Sequence, residues 1–289
     1  MTVWLNGGFV DAGAPIDASD RGFLLGDGVF ETIYVEDGRC AFFREHMRRL
    51  TAGLAALQIP APHGLDALAP AIAELAARES LSKGRAAARI TVTRGPSARG
   101  LRFADPAAPT VLVTLVPLGT APKKPLRLHI SARLRFSGAS TAAFKAIGGY
   151  IENMLAHNEA LAAGADEAVM LNEKGRVACA AAANIFLIGE AGVATPPAAE
   201  GALSGIVRGA ILKGAKEIGL AVTQRPICPD ELDAGDLVLT NSLIGLKAAV
   251  MAAAPPPRKG APARRLVLKA LQSWYDDRLT RELAKRSRP

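Results

Sequence analysis

The stretch from Asp20 to Ile33 reads "DRGFLLGDGVFETI" and joins a permissive backbone to an apolar run. It holds three glycines and four charged residues within fourteen positions. Glycine is favoured where the chain turns tightly or where two backbones approach closely. The run "GVFETI" has the β-branched and aromatic composition of a strand. We therefore expect a tight turn with a core strand directly behind it.

Composition narrows the class of protein. The chain has 289 residues, of which 49% are hydrophobic and 21% are charged, and this predicts two domains. It lacks a run of about 18 apolar residues, and its first residues lack the basic and apolar regions of a signal peptide. Cys40, Cys179 and Cys228 do not have the spacing of a zinc site or a disulfide framework. We expect a cytoplasmic protein with no metal site and no membrane segment.

The net charge of +8 is compatible with binding to nucleic acid. Much of the excess lies near the C-terminus, in "PPPRKGAPARRLVLK" and "DDRLTRELAKRSRP", and no aromatic residues of a nucleic-acid-binding motif accompany it. The sequence favours a solvated basic tail and no nucleic-acid partner. The low-complexity piece "AAPPPRKGAPA", residues 253–263, is expected to be a surface loop.

Periodicity predicts mixed helix and strand in both halves of the chain. In the first half, "VWLNGGFV" is predicted as a hairpin, "FFREHMRRLTAGLAALQI" and "GLDALAPAIAELAARESL" as helices, and "AARITVTRG" and "TVLVTLVPL" as strands. The piece "GTAPKKP", residues 119–125, is the best linker candidate. We predict a smaller α+β domain over residues 1–118 and a larger domain over 126–289. The fold class is therefore α/β (α+β).

The second half predicts a sheet-rich domain with flanking helices. The strand "LRLHISARL" leads through an apolar turn to the helix "IENMLAHNEALAAG". A hairpin follows in "DEAVMLNEKGRVACAAAANIFLI", with its turn at residues 172–175.

Lys145 stands out by its apolar setting in "STAAFKAIGGY". An amine in apolar surroundings loses its proton more easily, and the neutral amine is the form that attacks an aldehyde to give a Schiff base. The alternative is a lysine that reaches from the edge of the core to water.

Two further segments are compatible with an anion. In "ALSGIVRGAILKGAKEIG", Ser204 is predicted to cap a helix whose first amides attract a phosphate group. In "REHMRRL", Arg49 could reach the same kind of group. Taken alone, the first segment is more often an ordinary amphipathic helix, and the second is more often a solvated helix face.

Taken together, six ordered segments between about residue 3 and residue 250 resemble the fold-type IV pyridoxal-phosphate enzymes. This family includes branched-chain and D-amino acid aminotransferases and aminodeoxychorismate lyase. The matching segments are "DRGFLLGDGVFET", "EHMRRL", "TRGPSARG", the run from "FKAIGGY" to "AAANIF", "GIVRGAI" and "LTNSLIGL".

The resemblance implies pyridoxal 5'-phosphate as the cofactor. Lys145 matches the lysine that forms the Schiff base with the cofactor and moves the substrate proton, so it is the predicted catalytic residue. The predicted phosphate-binding set is Arg49, the backbone amides of Ile206 and Val207, and Ser242. Tyr150 matches a tyrosine near the phenolic oxygen of the cofactor, and Asn184 matches a position with a structural role.

The resemblance also implies a substrate side. Arg99 matches an arginine that pairs with the substrate carboxylate, a task that suits a planar bidentate donor. Phe30 is expected to face the substrate. Together with Leu101 it replaces a tyrosine and a histidine of the D-specific enzymes, so the stereochemical preference stays open.

Two cofactor contacts depart from the family pattern. Cys179 stands where the family has a glutamate beside the pyridine nitrogen, and a thiol is a weak partner for that nitrogen unless it ionises. Val207 replaces a threonine, which removes a hydroxyl and keeps the amide.

The sequence therefore predicts an aminotransferase that exchanges an amino group between an amino acid and a 2-oxo acid. The first alternative is an aminodeoxychorismate lyase that forms 4-aminobenzoate and pyruvate. The second is a protein that binds pyridoxal phosphate without catalysis. The resemblance implies a homodimer in each case.

Overall fold

The computed structural model describes residues 1–62, 64–103, 107–120, 122–253 and 262–285. Its contacts divide the chain into two compact units. Unit 1 consists of Met1–Thr120, Phe144–Gly149 and Leu279–Pro289, and unit 2 of Ala121–Ala143 and Tyr150–Arg278. The sequence assigned all of 126–289 to one domain, whereas these contacts assign the short segment that carries Lys145 to unit 1. The predicted domain limits stay a prediction, and most of the predicted surface loop 253–263 lies outside the described residues.

Unit 1 contains an antiparallel sheet. Its strands are β1 (Thr2–Leu5), β2 (Gly8–Asp11), β3 (Gly28–Glu36), β4 (Arg39–Cys40), β5 (Arg85–Thr93) and β6 (Thr110–Pro117). Among the described residues the strand order is β2-β1-β6-β5-β3-β4. The predicted hairpin is confirmed, since Leu5 pairs with Gly8 and the turn residues Asn6 and Gly7 both have positive φ.

Three α-helices lie wholly within the described part of unit 1. They are α1 (Arg21–Leu25), α2 (Phe43–Ala56) and α3 (Leu68–Arg78). The apolar faces of α2 and α3 join β3, β5 and β6 in one core, which contains the fully buried side chains Ile33, Leu50, Ile72 and Ile90. Both predicted helices of this half are confirmed.

The glycine-rich stretch forms α1 and the start of β3. The Asp20 side chain caps α1 by accepting a hydrogen bond from the Gly22 amide at 2.7 Å. Gly26 ends the helix in the left-handed conformation, at φ 66°. At Gly28 a Cβ atom would lie 2.5 Å from the Val92 carbonyl oxygen on β5. Only glycine allows the two strands to approach this closely.

The same stretch pairs with the segment that carries Lys145. The Phe30 amide donates to the Lys145 carbonyl at 3.0 Å, and the Ile147 amide donates to the Gly28 carbonyl at 2.9 Å. The Gly148 amide donates to the Gly26 carbonyl at 3.2 Å. The short segment is therefore fixed to the start of β3 by its own backbone.

Unit 2 contains a mixed sheet. Its strands are β7 (Leu126–Leu134), β8 (Glu167–Leu171), β9 (Val177–Ala180), β10 (Asn184–Gly189), β11 (Gly192–Thr195), β12 (Val222–Gln224), β13 (Asp236–Asn241) and β14 (Gly245–Met251). Their order in the described chain is β12-β11-β10-β13-β14-β7-β8-β9. The predicted β8–β9 hairpin is confirmed, and the Asn172 side chain accepts hydrogen bonds from the amides of Lys174 and Arg176 in its turn.

The second half also contains the helices α4 (Ile151–Ala162), α5 (Ile206–Gly214) and α6 (Pro262–Ala284). The sequence predicted a solvated basic tail from the two basic segments at residues 255–269 and 276–289, and most of their described residues lie in α6. Between these two segments the helix also has a buried apolar face, which the sequence did not predict. Leu271, Trp274 and Tyr275 lie on one helical face at spacings of three and four residues and are buried. The Trp274 indole also donates to Glu217 at 3.0 Å.

The two sheets with their helices confirm the predicted α/β class. None of the described helices combines the length and the apolar character that a membrane span requires.

We predict that Gly28→Ala destabilises the protein by about 1–3 kcal/mol, because the new methyl group overlaps the β5 backbone. Urea unfolding at neutral pH measures this effect. Gly13→Ala is the matched control, since Gly13 is exposed and an added Cβ would touch nothing within 4 Å. The control should change stability by no more than about 1 kcal/mol. Equal effects of the two substitutions would contradict the close approach at Gly28.

Candidate active site

The Lys145 amine lies against an aromatic ring in unit 1. Its Nζ atom is 4.3 Å from the centre of the Phe30 ring. Phe144 and Ala146, the neighbours of Lys145 in the chain, are both buried in the core of unit 1. The half-buried lysine therefore stands on a short apolar segment whose backbone is hydrogen-bonded to β3. The hydrogen-bonded backbone fixes the Cα position of Lys145, and the amine lies against the apolar surface of the Phe30 ring.

A second cation contacts the same ring. The Arg89 guanidinium carbon is 3.7 Å from the centre of the Phe30 ring, and Arg89 Nε donates to the Thr91 hydroxyl at 3.2 Å. Phe30 pairs with Thr91 across the β3–β5 ladder, so Arg89 is the diagonal neighbour of Phe30 on β5. The structure thus brings Phe30, Lys145 and Arg89 together.

The sequence reasoning missed Arg89. The available signal was an arginine in the middle of the strand "RAAARITVT", among small and apolar residues. Its meaning depends on the register between β3 and β5, and a single strand does not reveal that register.

Arg49 is held by a buried acid on β3. Glu31 is 0% exposed, and its carboxylate accepts from Arg49 Nε and Arg49 Nη2, each at 2.7 Å. The His46 Nδ1 atom lies 2.6 Å from the same carboxylate. Neither Glu31 nor His46 was assigned a role from the sequence, although a glutamate inside the apolar run "GVFETIYVE" requires a partner.

The protonation states of this group follow from its surroundings. Burial acts to raise the pKa of Glu31, but hydrogen bonds from Arg49 and His46 outweigh it and lower that pKa to about 2. Burial lowers the pKa of His46, so its ring is neutral at neutral pH. Since an ionised carboxylate can only accept, the neutral ring carries its proton on Nδ1 and donates it to Glu31.

The segment after β5 carries the predicted substrate residues Arg99 and Leu101. Both are exposed, Leu101 to 85%. The segment is tied to α1, because Arg21 Nη1 donates to the Gly100 carbonyl at 2.8 Å. Arg21 is itself paired with Asp27 at 2.7 Å. Arg99 and Leu101 therefore stand on an anchored segment with their own side chains exposed.

The predicted phosphate amides lie at the start of α5 in unit 2. Ile206 and Val207 are the first two residues of this helix, and the N-cap is Gly205, which provides no side-chain hydrogen bond. The expectation that Ser204 is the cap is therefore wrong. A Cβ at Gly205 would overlap the Asn184 side-chain oxygen, so the glycine allows the Asn184 amide to pack against the helix start.

A buried hydroxyl lies on the strand next to Asn184. Thr240 on β13 pairs directly with Asn184 on β10 and is 1% exposed. Its hydroxyl has no hydrogen-bond partner among the described residues. Ser242, two residues further on, lies in the turn between β13 and β14 and is partly exposed. Thr240 was not singled out from the sequence, because a threonine in a strand is unremarkable without its partners.

Cys179 is buried within β9 and pairs with Met170 on β8. It is a free cysteine, and burial raises the pKa of its thiol to about 11. The thiol is therefore protonated at neutral pH, and the ionised form that would make it a strong partner is absent there. Tyr150, the last predicted cofactor residue, occupies the N-cap position of α4 and is partly exposed.

The sequence family is shown by comparison with known proteins. The family model described as amino-transferase class IV matches residues 28–249. The chain therefore belongs to the class IV aminotransferase family, and it is an enzyme, as the sequence predicts. The alternative of a protein that binds pyridoxal phosphate without catalysis is not supported.

Individual relatives cover most of the chain. A putative branched-chain-amino-acid aminotransferase of Methanocaldococcus jannaschii is 32% identical over 251 residues, which cover 84% of each chain. An aminodeoxychorismate lyase of Bacillus subtilis is 29% identical over 247 residues, 84% of this chain and 83% of the lyase. A branched-chain aminotransferase of the thermophilic archaeon Thermoproteus uzoniensis, solved with norvaline, superposes with a TM-score of 0.87 at 24% identity, covering 98% of this chain and 96% of that one. The last comparison shows the fold.

Proposed function

We propose that this protein transfers an amino group between an amino acid and a 2-oxo acid, with pyridoxal 5'-phosphate as its cofactor and Lys145 as its catalytic residue. The observation that carries the proposal is the placement of the Lys145 amine 4.3 Å from the Phe30 ring by a backbone ladder. An amine fixed in this way at an apolar wall suits covalent chemistry with an aldehyde. Family membership and the aminotransferase relative support the same activity.

The start of α5 fits the phosphate group of this cofactor. Backbone amides at a helix start bind phosphate through hydrogen bonds and the helix dipole. Ile206 and Val207 provide such amides, and the buried Thr240 hydroxyl in the sheet of the same unit lacks a partner among the described residues. Together with Ser242 and Arg49 they are the donors that we assign to the phosphate dianion.

The bound cofactor supplies an aldehyde that bonds to amines and a pyridine ring that withdraws electrons from the substrate α-carbon. Lys145 would hold the aldehyde and then move a proton from the substrate α-carbon through its Nζ atom. Tyr150 would donate a hydrogen bond toward the phenolic oxygen. The Phe30 ring would keep water away from the Lys145 amine.

Substrate binding requires a cation for the carboxylate. Arg89 lies against the ring that Lys145 also contacts, so its guanidinium would hold the substrate carboxylate near the reacting amine. Arg99 stays a second proposed carboxylate ligand, with Leu101 beside it, on the anchored segment after β5.

A lyase is the second candidate function. Two observations favour it: the neutral thiol of Cys179, which we assign to the position beside the pyridine nitrogen, and the lyase relative. A neutral thiol leaves the ring a weaker electron acceptor, which costs transamination more than the expulsion of a good leaving group. The substrate of this reaction would be aminodeoxychorismate, and its products 4-aminobenzoate and pyruvate.

We also propose that the protein is a homodimer. The apolar residues Ile151, Met154, Leu155 and Leu161 of α4 are each 43–56% exposed. They recur at helical spacing and form an apolar stripe, which is typical of a surface that is covered by another protein.

We predict that borohydride traps pyridoxal phosphate on Lys145. Borohydride reduction of the protein with bound cofactor should add the cofactor mass to the peptide that contains this lysine, because reduction fixes the carbon–nitrogen bond. Lys145→Ala should give no label at this peptide. Lys174→Ala, at an exposed turn position, is the matched control and should be labelled as the wild type is. Label on a different lysine of the wild type would overturn the assignment.

A further prediction distinguishes Arg89 from Arg99 as the carboxylate ligand, and transamination from the lyase reaction. With a panel of D- and L-amino acids, Arg89→Ala should weaken formation of the aminated cofactor by about tenfold or more, as expected for loss of a charge-assisted hydrogen bond. Arg99→Ala should have a smaller effect, since it is Arg89 that lies against the ring that Lys145 also contacts. Arg85→Ala, on the same strand, controls for strand damage.

The opposite order of the two variants would show that Arg99 is the main carboxylate ligand. A parallel assay follows 4-aminobenzoate and pyruvate from aminodeoxychorismate. Rapid formation of both products, with no amino acid of the panel reacting, would replace the aminotransferase by the lyase.

A further inference from the structure

The carboxylate of Glu31 is a fully buried ionised group of unit 1. It is 0% exposed, stands on β3 and contacts two residues of α2. Burying a charge is costly, and a buried ion pair is often no more stabilising than apolar residues of the same volume. Stability alone therefore does not account for Glu31. Its three hydrogen bonds, two from Arg49 and one from His46, fix a geometry instead.

We propose that Glu31 and His46 are positioning residues that orient the Arg49 guanidinium for the phosphate group of the cofactor. This inference rests on the proposed function, which assigns Arg49 to the phosphate. It adds two residues to which neither the sequence nor the comparisons give a role.

The orientation follows from the way in which Glu31 binds the guanidinium. Arg49 uses Nε and Nη2, so one edge of its planar group faces the carboxylate. The terminal edge, formed by Nη1 and Nη2, is the second edge from which a guanidinium donates two hydrogen bonds. Holding the first edge fixes the plane, and the direction of the second edge is then set before any anion arrives. A pre-set donor loses little conformational entropy on binding.

His46 stabilises the carboxylate itself. His46 and Arg49 are three residues apart on α2 and so lie on one face of the helix. The neutral imidazole donates from Nδ1 to the Glu31 oxygen that also accepts from Arg49 Nη2. This third bond prevents the carboxylate from rotating about its terminal torsion. Rotation of Glu31 would turn the Arg49 plane with it.

The test compares two ligands that differ only in the phosphate. Cofactor-free protein is titrated with pyridoxal 5'-phosphate and, separately, with pyridoxal, and the dissociation constants are read from absorbance. The phosphate preference is the ratio of the two constants. A general loss of structure weakens both ligands, whereas misorientation of Arg49 weakens only the phosphorylated one. Urea unfolding of each variant accompanies the titration.

Glu31→Gln should lower the phosphate preference about tenfold, as expected when a charge-assisted hydrogen bond is lost. His46→Leu should lower it as well. His46→Asn should restore most of it, because the asparagine amide can donate from nearly the place of Nδ1. Glu74→Gln is the matched control, since Glu74 pairs with Arg78 at the surface. It should leave the preference unchanged.

The double variant identifies the route of the effect. In an Arg49→Lys background the planar guanidinium is absent, so there is no second edge for Glu31 to orient. Adding Glu31→Gln should then change the phosphate preference no further. An equal loss of both ligands in Glu31→Gln, or an unchanged preference, would overturn the positioning role while leaving the proposed function intact. A wild type that binds both ligands equally well, or neither, would overturn the assignment of the phosphate to Arg49, and the positioning role would fall with it.

Discussion

The backbone pairing between Gly26–Phe30 and Lys145–Gly148 is the constraint on which the proposed chemistry depends. Three amide hydrogen bonds attach the lysine segment to Gly26 and to the start of β3 in unit 1. They form because Gly28 lets the start of β3 lie unusually close to β5 and because Gly26 turns the chain out of α1. The glycines of the first quoted stretch therefore position the segment of the proposed catalytic amine, although they lie more than a hundred residues before it.

Next to this pairing, the two faces of β3 contact different cationic side chains. Successive residues of a strand point to opposite faces, so Phe30 and Glu31 serve different groups. Phe30 contacts the cations of Lys145 and Arg89, and Glu31 contacts Arg49 and His46. A two-residue piece of β3 thus separates the proposed reacting amine from the proposed phosphate ligand. Each cation is held by a partner of suitable chemistry, a ring face in the first case and a carboxylate in the second.

Local patterns in the sequence predicted most of the regular structure. The hairpins at Asn6–Gly7 and at residues 172–175 follow from turn residues between strand-like runs, and α2 to α5 follow from helical periodicity. The helix α6 was missed because its charge obscured the apolar face of Leu271, Trp274 and Tyr275. At α5 the serine was preferred as the cap over the glycine, because the packing of Asn184 against that glycine is a tertiary contact.

The residues of the candidate site also fall into two groups: those that local sequence patterns indicated and those that only tertiary contacts reveal. Lys145 and Arg49 were assigned to the site from the sequence because their segments resemble those of a known family. The sequence did not single out Arg89, Glu31, His46 and Thr240, since their proposed roles rest on cross-strand register and burial that no local pattern records. The consequence of Cys179 also required the structure, because the degree of burial decides whether its thiol is ionised.

Amide hydrogen exchange tests most directly whether the backbone ladder holds the lysine segment. In the native protein, the amides of Phe30 and Ile147 should exchange within about tenfold of the rate of Ile33, a buried residue of the same strand, because opening them requires separating β3 from its partner. The exposed turn at Gly13 gives the fast reference. Exchange of Phe30 and Ile147 as fast as that of Gly13 would mean that the segment is not held by β3, and the placement of the Lys145 amine would lose its physical basis.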